Sequence, residues 1–125
     1  MLVKDLMRRP FVVEKDISLS EAAGIMSDKK IGSLIFTSKD KIKGIITEAD
    51  LIRNFGKGKK ISDAMTSKVF TVSPDSNLDG AASIMREKKI KRLPVIAEEG
   101  KVVGIITLTD LLANFEALEE EFFFN

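Results

Sequence analysis

The chain has 125 residues, 44% of them hydrophobic and 31% charged, with twenty basic against nineteen acidic side chains and a net charge of +1, enough for one small domain with its own core. It has no Cys and no His, which excludes thiolate nucleophiles, disulfides, Fe–S clusters, thiolate zinc sites and histidine-dependent acid–base chemistry. Balanced charge in short interrupted clusters argues against a domain built around nucleic acid, and no apolar run approaches the roughly 18 residues of a membrane span or a signal sequence, so a cytoplasmic protein without membrane contact is expected.

Along the chain, Phe11-Val12-Val13 reads as a short strand ended by turn chemistry at Lys15-Asp16. Leu19, Ala22, Ala23 and Met26 then fall at helical spacing on one apolar face, opened by the capping-box pattern Ser18-Leu19-Ser20-Glu21. Leu34 to Thr37 and Ile42 to Ile46 read as neighbouring strands around the turn Ser38-Lys39-Asp40-Lys41, and a helix opening at Thr47 runs through Leu51-Ile52. The connection Gly56-Lys57-Gly58-Lys59-Lys60 follows. The same order then returns. Phe70-Thr71-Val72 is the strand, Leu78, Ala81, Ala82 and Met85 mark the helix, Leu93 to Ile96 and Val102 to Ile106 are the strand pair around Glu98-Glu99-Gly100-Lys101, and the last helix opens at Thr107.

With one-residue insertions at Lys68 and Gly100, 23 of 53 aligned pairs from Val3 to Phe55 are identical between the two halves. The expectation is an α/β (α+β) fold of two β-α-β-β-α repeats, residues 1–59 with the linker and residues 60–125 with a C-terminal tail. Met7, Met26, Met65 and Met85 recur in register, as core or packing residues do.

The stretch that carries chemistry is G-I-I-T-x-x-D, present as Gly44 to Asp50 and Gly104 to Asp110. A strand entering a helix directs backbone N–H groups and the positive helix end at whatever lies in front, an environment suited to anions. Thr at the cap offers a hydroxyl, and Asp one turn on offers acceptors for a vicinal diol such as a ribose. The same Thr-x-x-Asp spacing also fits an ordinary capping box. Both readings are open at this point.

The tandem copies, each with D-x-M near its start (Asp5-Leu6-Met7, Asp63-Ala64-Met65), a helix carrying A-A-x-I-M, and G-I-I-T-x-x-D-L, together with Lys91-Arg92-Leu93-Pro94-Val95, resemble a pair of cystathionine-β-synthase (CBS) domains, a Bateman module, over about Leu2 to Phe115. The resemblance implies two repeats packed through their sheets with pseudo-two-fold symmetry and two clefts that take AMP, ADP, ATP or S-adenosylmethionine as ligand, with no cofactor and no metal. Carried over by position, one cleft would use Thr107 and Asp110 for the ribose, Ile105 against the base and Lys91 and Arg92 toward phosphates, walled by Phe11, Ile31, Gly32 and Ser33. The other would use Thr47, Asp50 and Ile45, walled by Phe70 and Ile90.

Gly32-Ser33 stands where the second copy has Lys91-Arg92, so the Thr107/Asp110 site is expected to hold a polyphosphate more tightly. The function implied is a stand-alone, non-enzymatic regulatory module in a homodimer, acting on a separate enzyme or transporter. A nucleotide-processing enzyme would need a second convergent acid or a nucleophile, and the motif supplies neither. The alternative is an assembly adaptor with vestigial clefts, working through its dimer faces and the tail containing Phe122-Phe123-Phe124, whose exposure would be costly.

Overall fold

A computed structural model of the chain describes residues 1–114, and the Phe122–Phe124 tail lies outside the described residues. The chain divides into two compact units, one of Phe11–Val69 and one of Met1–Pro10 together with the residues from Phe70 onward. The duplication read along the sequence and the compact units are therefore offset: the opening ten residues of the chain belong to the unit that carries the second copy's sheet.

In the unit of Phe11–Val69, β1 (Val12–Val13) leads through α2 (Leu19–Lys29) to β2 (Ser33–Ser38), and β3 (Lys41–Thr47) runs into α3 (Glu48–Arg53). β1 lies parallel to β2 with Val12 opposite Ile35, and β2 pairs antiparallel with β3. A parallel pair needs a crossover and an antiparallel pair only a turn. The helix α2 supplies the crossover, and Lys39 and Asp40, both at positive φ (53° and 64°), make the turn. Ala22, Met26, Leu34, Ile46 and Ile61 form the core. Ser18 caps α2 as its sequence predicts, its hydroxyl accepting from the Glu21 N–H at 3.0 Å.

The other unit repeats the plan with α5 (Leu78–Lys88), β4 (Arg92–Ile96), β5 (Val102–Thr107) and α6 (Leu108–Ala113) around a core of Val3, Leu78, Ala81, Met85, Leu93, Val95 and Ile106. One expected strand is missing. Where β1 would recur, only Val72 pairs, as an isolated parallel bridge to Val95. In the first unit the Ile35 N–H donates to the Phe11 carbonyl at 3.0 Å. Pro94 stands at the equivalent of Ile35 and has no N–H to give Phe70, so the ladder shrinks to the two bonds that Val72 makes with Pro94 and Ile96.

Two four-residue helices were not foreseen: α1 (Val3–Leu6) and α4 (Ile61–Ala64). They explain the D-x-M motif. The aspartate closes the helix start, Asp5 accepting from the Leu2 N–H and Asp63 from the N–H groups of Lys59 and Lys60, each at 2.8 Å. The methionine two residues later then lies over the glycine of G-I-I-T. A Cβ added to Gly104 would sit 2.6 Å from the Met7 Sδ and 3.2 Å from the Arg8 carbonyl oxygen, and Gly44 stands in the same relation to Met65 and Thr66. The chain pairs there as well. Arg8 and Ile105 exchange backbone hydrogen bonds at 2.9 and 3.0 Å, as do Thr66 and Ile45.

The motif glycines therefore permit a close backbone approach. Gly104→Ala should destabilise the protein by about 1–3 kcal/mol, because the Met7 side chain can turn aside but the Arg8 carbonyl cannot. Denaturant titration measures this, and an unchanged midpoint would refute the close packing. The backbone bonds from Lys60 and then Lys59 hold the Asp63 carboxyl below the usual carboxylate range. A depressed folded pKa contributes stability that is present above the unfolded value and lost as pH falls through the folded one. Asp63→Asn should accordingly lower the melting temperature at neutral pH and shrink the difference from wild type below about pH 4, read by thermal melts across pH.

Candidate functional site

In the second unit, β5 ends at Thr107 and α6 begins at the next residue, so the Thr107 backbone is still extended (φ −119°, ψ 163°) while its side chain already serves the helix. The Thr107 hydroxyl accepts from the Asp110 N–H at 3.2 Å and donates to Asp110 Oδ2 at 2.9 Å, and the Thr107 N–H donates to the same oxygen at 3.0 Å. Asp110 is only 3% exposed. Its other oxygen, Oδ1, accepts from the Arg8 Nε at 2.6 Å. The guanidinium side of that ion pair remains 69% exposed.

The backbones of the two basic residues expected at this site run beside it. Arg92 lies opposite Thr107 in the β4–β5 register, and the Lys91 carbonyl accepts from the Leu108 N–H at 2.7 Å. Lys91 is exposed and Arg92 half-buried. Ile105, half-buried, is held on the free side of β5 by its backbone bonds to Arg8. Phe70, in the same unit, is 37% exposed with the Lys88 ammonium 5.0 Å from its ring centroid, a cation–π contact. Ile90 packs against this unit's core.

The first unit carries the same junction with a different surround. Thr47 donates to Asp50 Oδ2 through its N–H at 2.9 Å and its hydroxyl at 3.0 Å, and accepts from the Asp50 N–H. Asp50 is again 3% exposed, and its Oδ1 is paired with Arg53, one turn along the same helix. Ser33, opposite Thr47, is buried, and the Gly32 carbonyl accepts from the Glu48 N–H at 3.2 Å. Ile45 is buried, whereas Phe11 is 36% exposed. An open depression of about 490 Å³ lies at this end of the unit, lined among others by Lys30, Ile31, Gly32, Glu48, Leu51 and Ile52.

Two features differ from the sequence reading. The helix starts do not present a free row of donors, since the first-turn N–H groups of Leu108, Glu48, Asp110 and Asp50 are all taken by carbonyls or threonine hydroxyls. The arginines that answer the two aspartates, Arg8 and Arg53, were also not singled out. Arg53 sits three residues after Asp50, a spacing that places both on one helix face and could have been read. Arg8 lies 102 residues from Asp110, and no local pattern joins them. Among the described residues no group of three or more acidic side chains is placed to hold a metal ion, and no helix is long and apolar enough to cross a membrane.

Comparison with known proteins adds the family. The CBS domain model matches residues 3–57 and again 61–117. The CBS domain pair of protein MJ0100, solved in complex with 5-methylthioadenosine and S-adenosyl-L-methionine, superposes with a TM-score of 0.88 at 32% identity, covering 94% of this chain and 98% of that one. CBSX2, solved in complex with AMP, gives 0.84 at 26% identity over 94% and 98%. The inosine-5'-monophosphate dehydrogenase of Nitrosopumilus maritimus is 34% identical over 110 residues, which are 87% of this chain but only 23% of that enzyme. Matched in both halves by one family model and superposable on a solved pair, the chain belongs to the CBS domain family, as a tandem CBS pair.

Proposed function

We propose that this pair is a regulatory module that binds an adenosine-containing compound at its Thr-x-x-Asp junctions and signals by changing conformation or association, with no turnover of the ligand. The observation that carries this reading is the meeting, at one end of β4–β5, of a rotamer-fixed Thr107–Asp110 pair with Lys91 and Arg92. A sugar diol needs acceptors and a phosphate needs cations, and this end of the unit has both. Relatives solved with AMP and with S-adenosylmethionine supply the ligand class. Free energy passed to a partner enzyme or transporter would equal the ligand's differential affinity for two states, typically about 1–3 kcal/mol.

The Thr107/Asp110 site is the better fit for a polyphosphate. Lys91 and Arg92 flank it, whereas Gly32 and Ser33 flank Thr47 and Asp50, where Arg53 is the neighbouring cation. Saturating AMP, ATP or S-adenosylmethionine should raise the melting temperature, by about 2.7 kcal/mol of added stability at a hundredfold excess over Kd. Asp110→Ala should weaken nucleotide binding by about 1.5–3 kcal/mol and Asp50→Ala by less, measured by calorimetry on variants shown to be folded. Equal losses would remove the asymmetry, and a ligand recovered as product would replace the sensor by an enzyme. Replacing Lys91 and Arg92 together should cost ATP more than adenosine.

The homodimer belongs to the same proposal, favoured by Ile52 and Phe55, which expose 76% and 88% of their surface on and just after α3. Large apolar side chains this exposed next to one another suit a second copy of the chain. Ile52→Ser with Phe55→Ser should halve the mass seen by light scattering, and an unchanged mass would place the interface elsewhere.

A further inference from the structure

We propose that Arg8 is a specificity-determining residue of the Asp110 site, an exchangeable occupant of the carboxylate that a ribose diol must displace and that the displaced guanidinium then makes selective for anionic ligands. The proposal rests on the nucleotide reading above and deepens it.

A carboxylate has about four acceptor positions. Two on Asp110 Oδ2 are filled by the Thr107 N–H and hydroxyl, and a third, on Oδ1, by the Arg8 Nε. One remains, and a vicinal diol that donates twice needs two. The threonine bonds also cap α6 and cannot be given up without opening the helix start. Arg8 can be given up. Its side chain is 69% exposed while Asp110 is 4% exposed, so the cation returns to water on release and the anion must be handed to another donor.

The partition of roles follows from the tether. Arg8 is fixed at its backbone by the Ile105 exchange, so a released side chain stays beside the site, where an anionic group on the ligand can recover its charge and a neutral nucleoside cannot. The first unit supports the same logic by different means. The aligned counterpart of Arg8 is Thr66 and that of Arg53 is Ala113, yet each aspartate has one arginine on Oδ1. Two copies that diverged at both positions have kept one cation at the same atom.

The test is an ¹H–¹⁵N NMR titration with adenosine and with AMP. It follows the Thr107 and Thr47 amides, whose N–H groups donate to Asp110 and Asp50, so the two sites are read separately. In Arg8→Ala, adenosine should bind about three- to fivefold more tightly at Thr107, and the preference for AMP over adenosine should fall at least fivefold, with Thr47 unaffected. Arg8→Lys should keep most of the preference, and Arg9→Ala should leave both values at wild type. Adenosine affinity at Thr107 that is unchanged or lower in a folded Arg8→Ala protein would overturn the role of Arg8 and leave the nucleotide reading standing. If neither compound shifts either amide in folded wild type and Arg8→Ala, the nucleotide reading falls and takes this assignment with it.

Discussion

A carboxylate hidden from water at the first turn of a six-residue helix is the constraint from which the rest of each unit follows. Asp110 and Asp50 are both 3% exposed, and an ionised side chain in that position is tolerable only if its oxygens are answered by donors. The threonine at the end of the preceding strand provides two of them, which fixes the strand–helix junction. An arginine provides the third, which recruits another piece of chain. In the second unit that piece is the N-terminal segment, brought alongside β5 by the Arg8–Ile105 backbone pair and seated by Met7 over Gly104. The glycine, the threonine and the aspartate of G-I-I-T-x-x-D thus solve one packing problem together: room for the neighbouring segment, a cap, and a charge that the segment can meet.

The duplicated junctions differ in the charges that surround them. In the first unit the arginine comes from α3 itself, and the segment lying along β3 carries Thr66 where the other carries Arg8. The Asp50 ion pair is local and needs no tertiary contact to form, while the Asp110 pair exists only when residues 102 positions apart are assembled. Lys91 and Arg92 stand beside the second junction where Gly32 and Ser33 stand beside the first, so the cations near Asp110 come from two separate stretches of chain. Under the proposed function, equal backbone frames with unequal charge would let one chain treat two ligands, or two occupancies of one ligand, differently.

Much of this could be read along the chain because it is local. The two long helices follow from apolar spacing, the strand pairs from β-branched runs around short polar turns, and the duplication from aligned identities such as Met26 with Met85 and Thr47 with Thr107. The Thr-x-x-Asp motif was visible but ambiguous. The structure gives it the capping geometry and sets the backbone of Arg92 opposite Thr107. What could not be read was non-local or subtractive. α1 and α4 are too short for any periodicity to reveal. The shrinkage of the second copy's first strand depends on Pro94 lacking a donor for a residue more than twenty positions earlier. The compact units cut across the repeats, a consequence of which segment covers which glycine.

The arginine contact joins a buried acceptor to a donor that is mostly in solvent. Simply breaking it would strand a buried carboxylate oxygen, which costs more than losing a surface ion pair, so under the proposed function a ligand would have to hand Asp110 replacement hydrogen bonds as Arg8 leaves. The proposed exchange would leave the buried carboxylate satisfied before and after and would avoid the cost of stranding it. The Arg8–Asp110 contact is a side-chain tie between the N-terminal segment and α6, in addition to the core that Val3 and Leu111 share and the backbone bonds of Arg8 to Ile105. Under the proposed function, a ligand at Asp110 would change one of the contacts that hold that segment, beside the backbone bonds of Val3, Lys4 and Arg8. Its differential affinity for the held and released arrangements sets the largest free energy it can pass on.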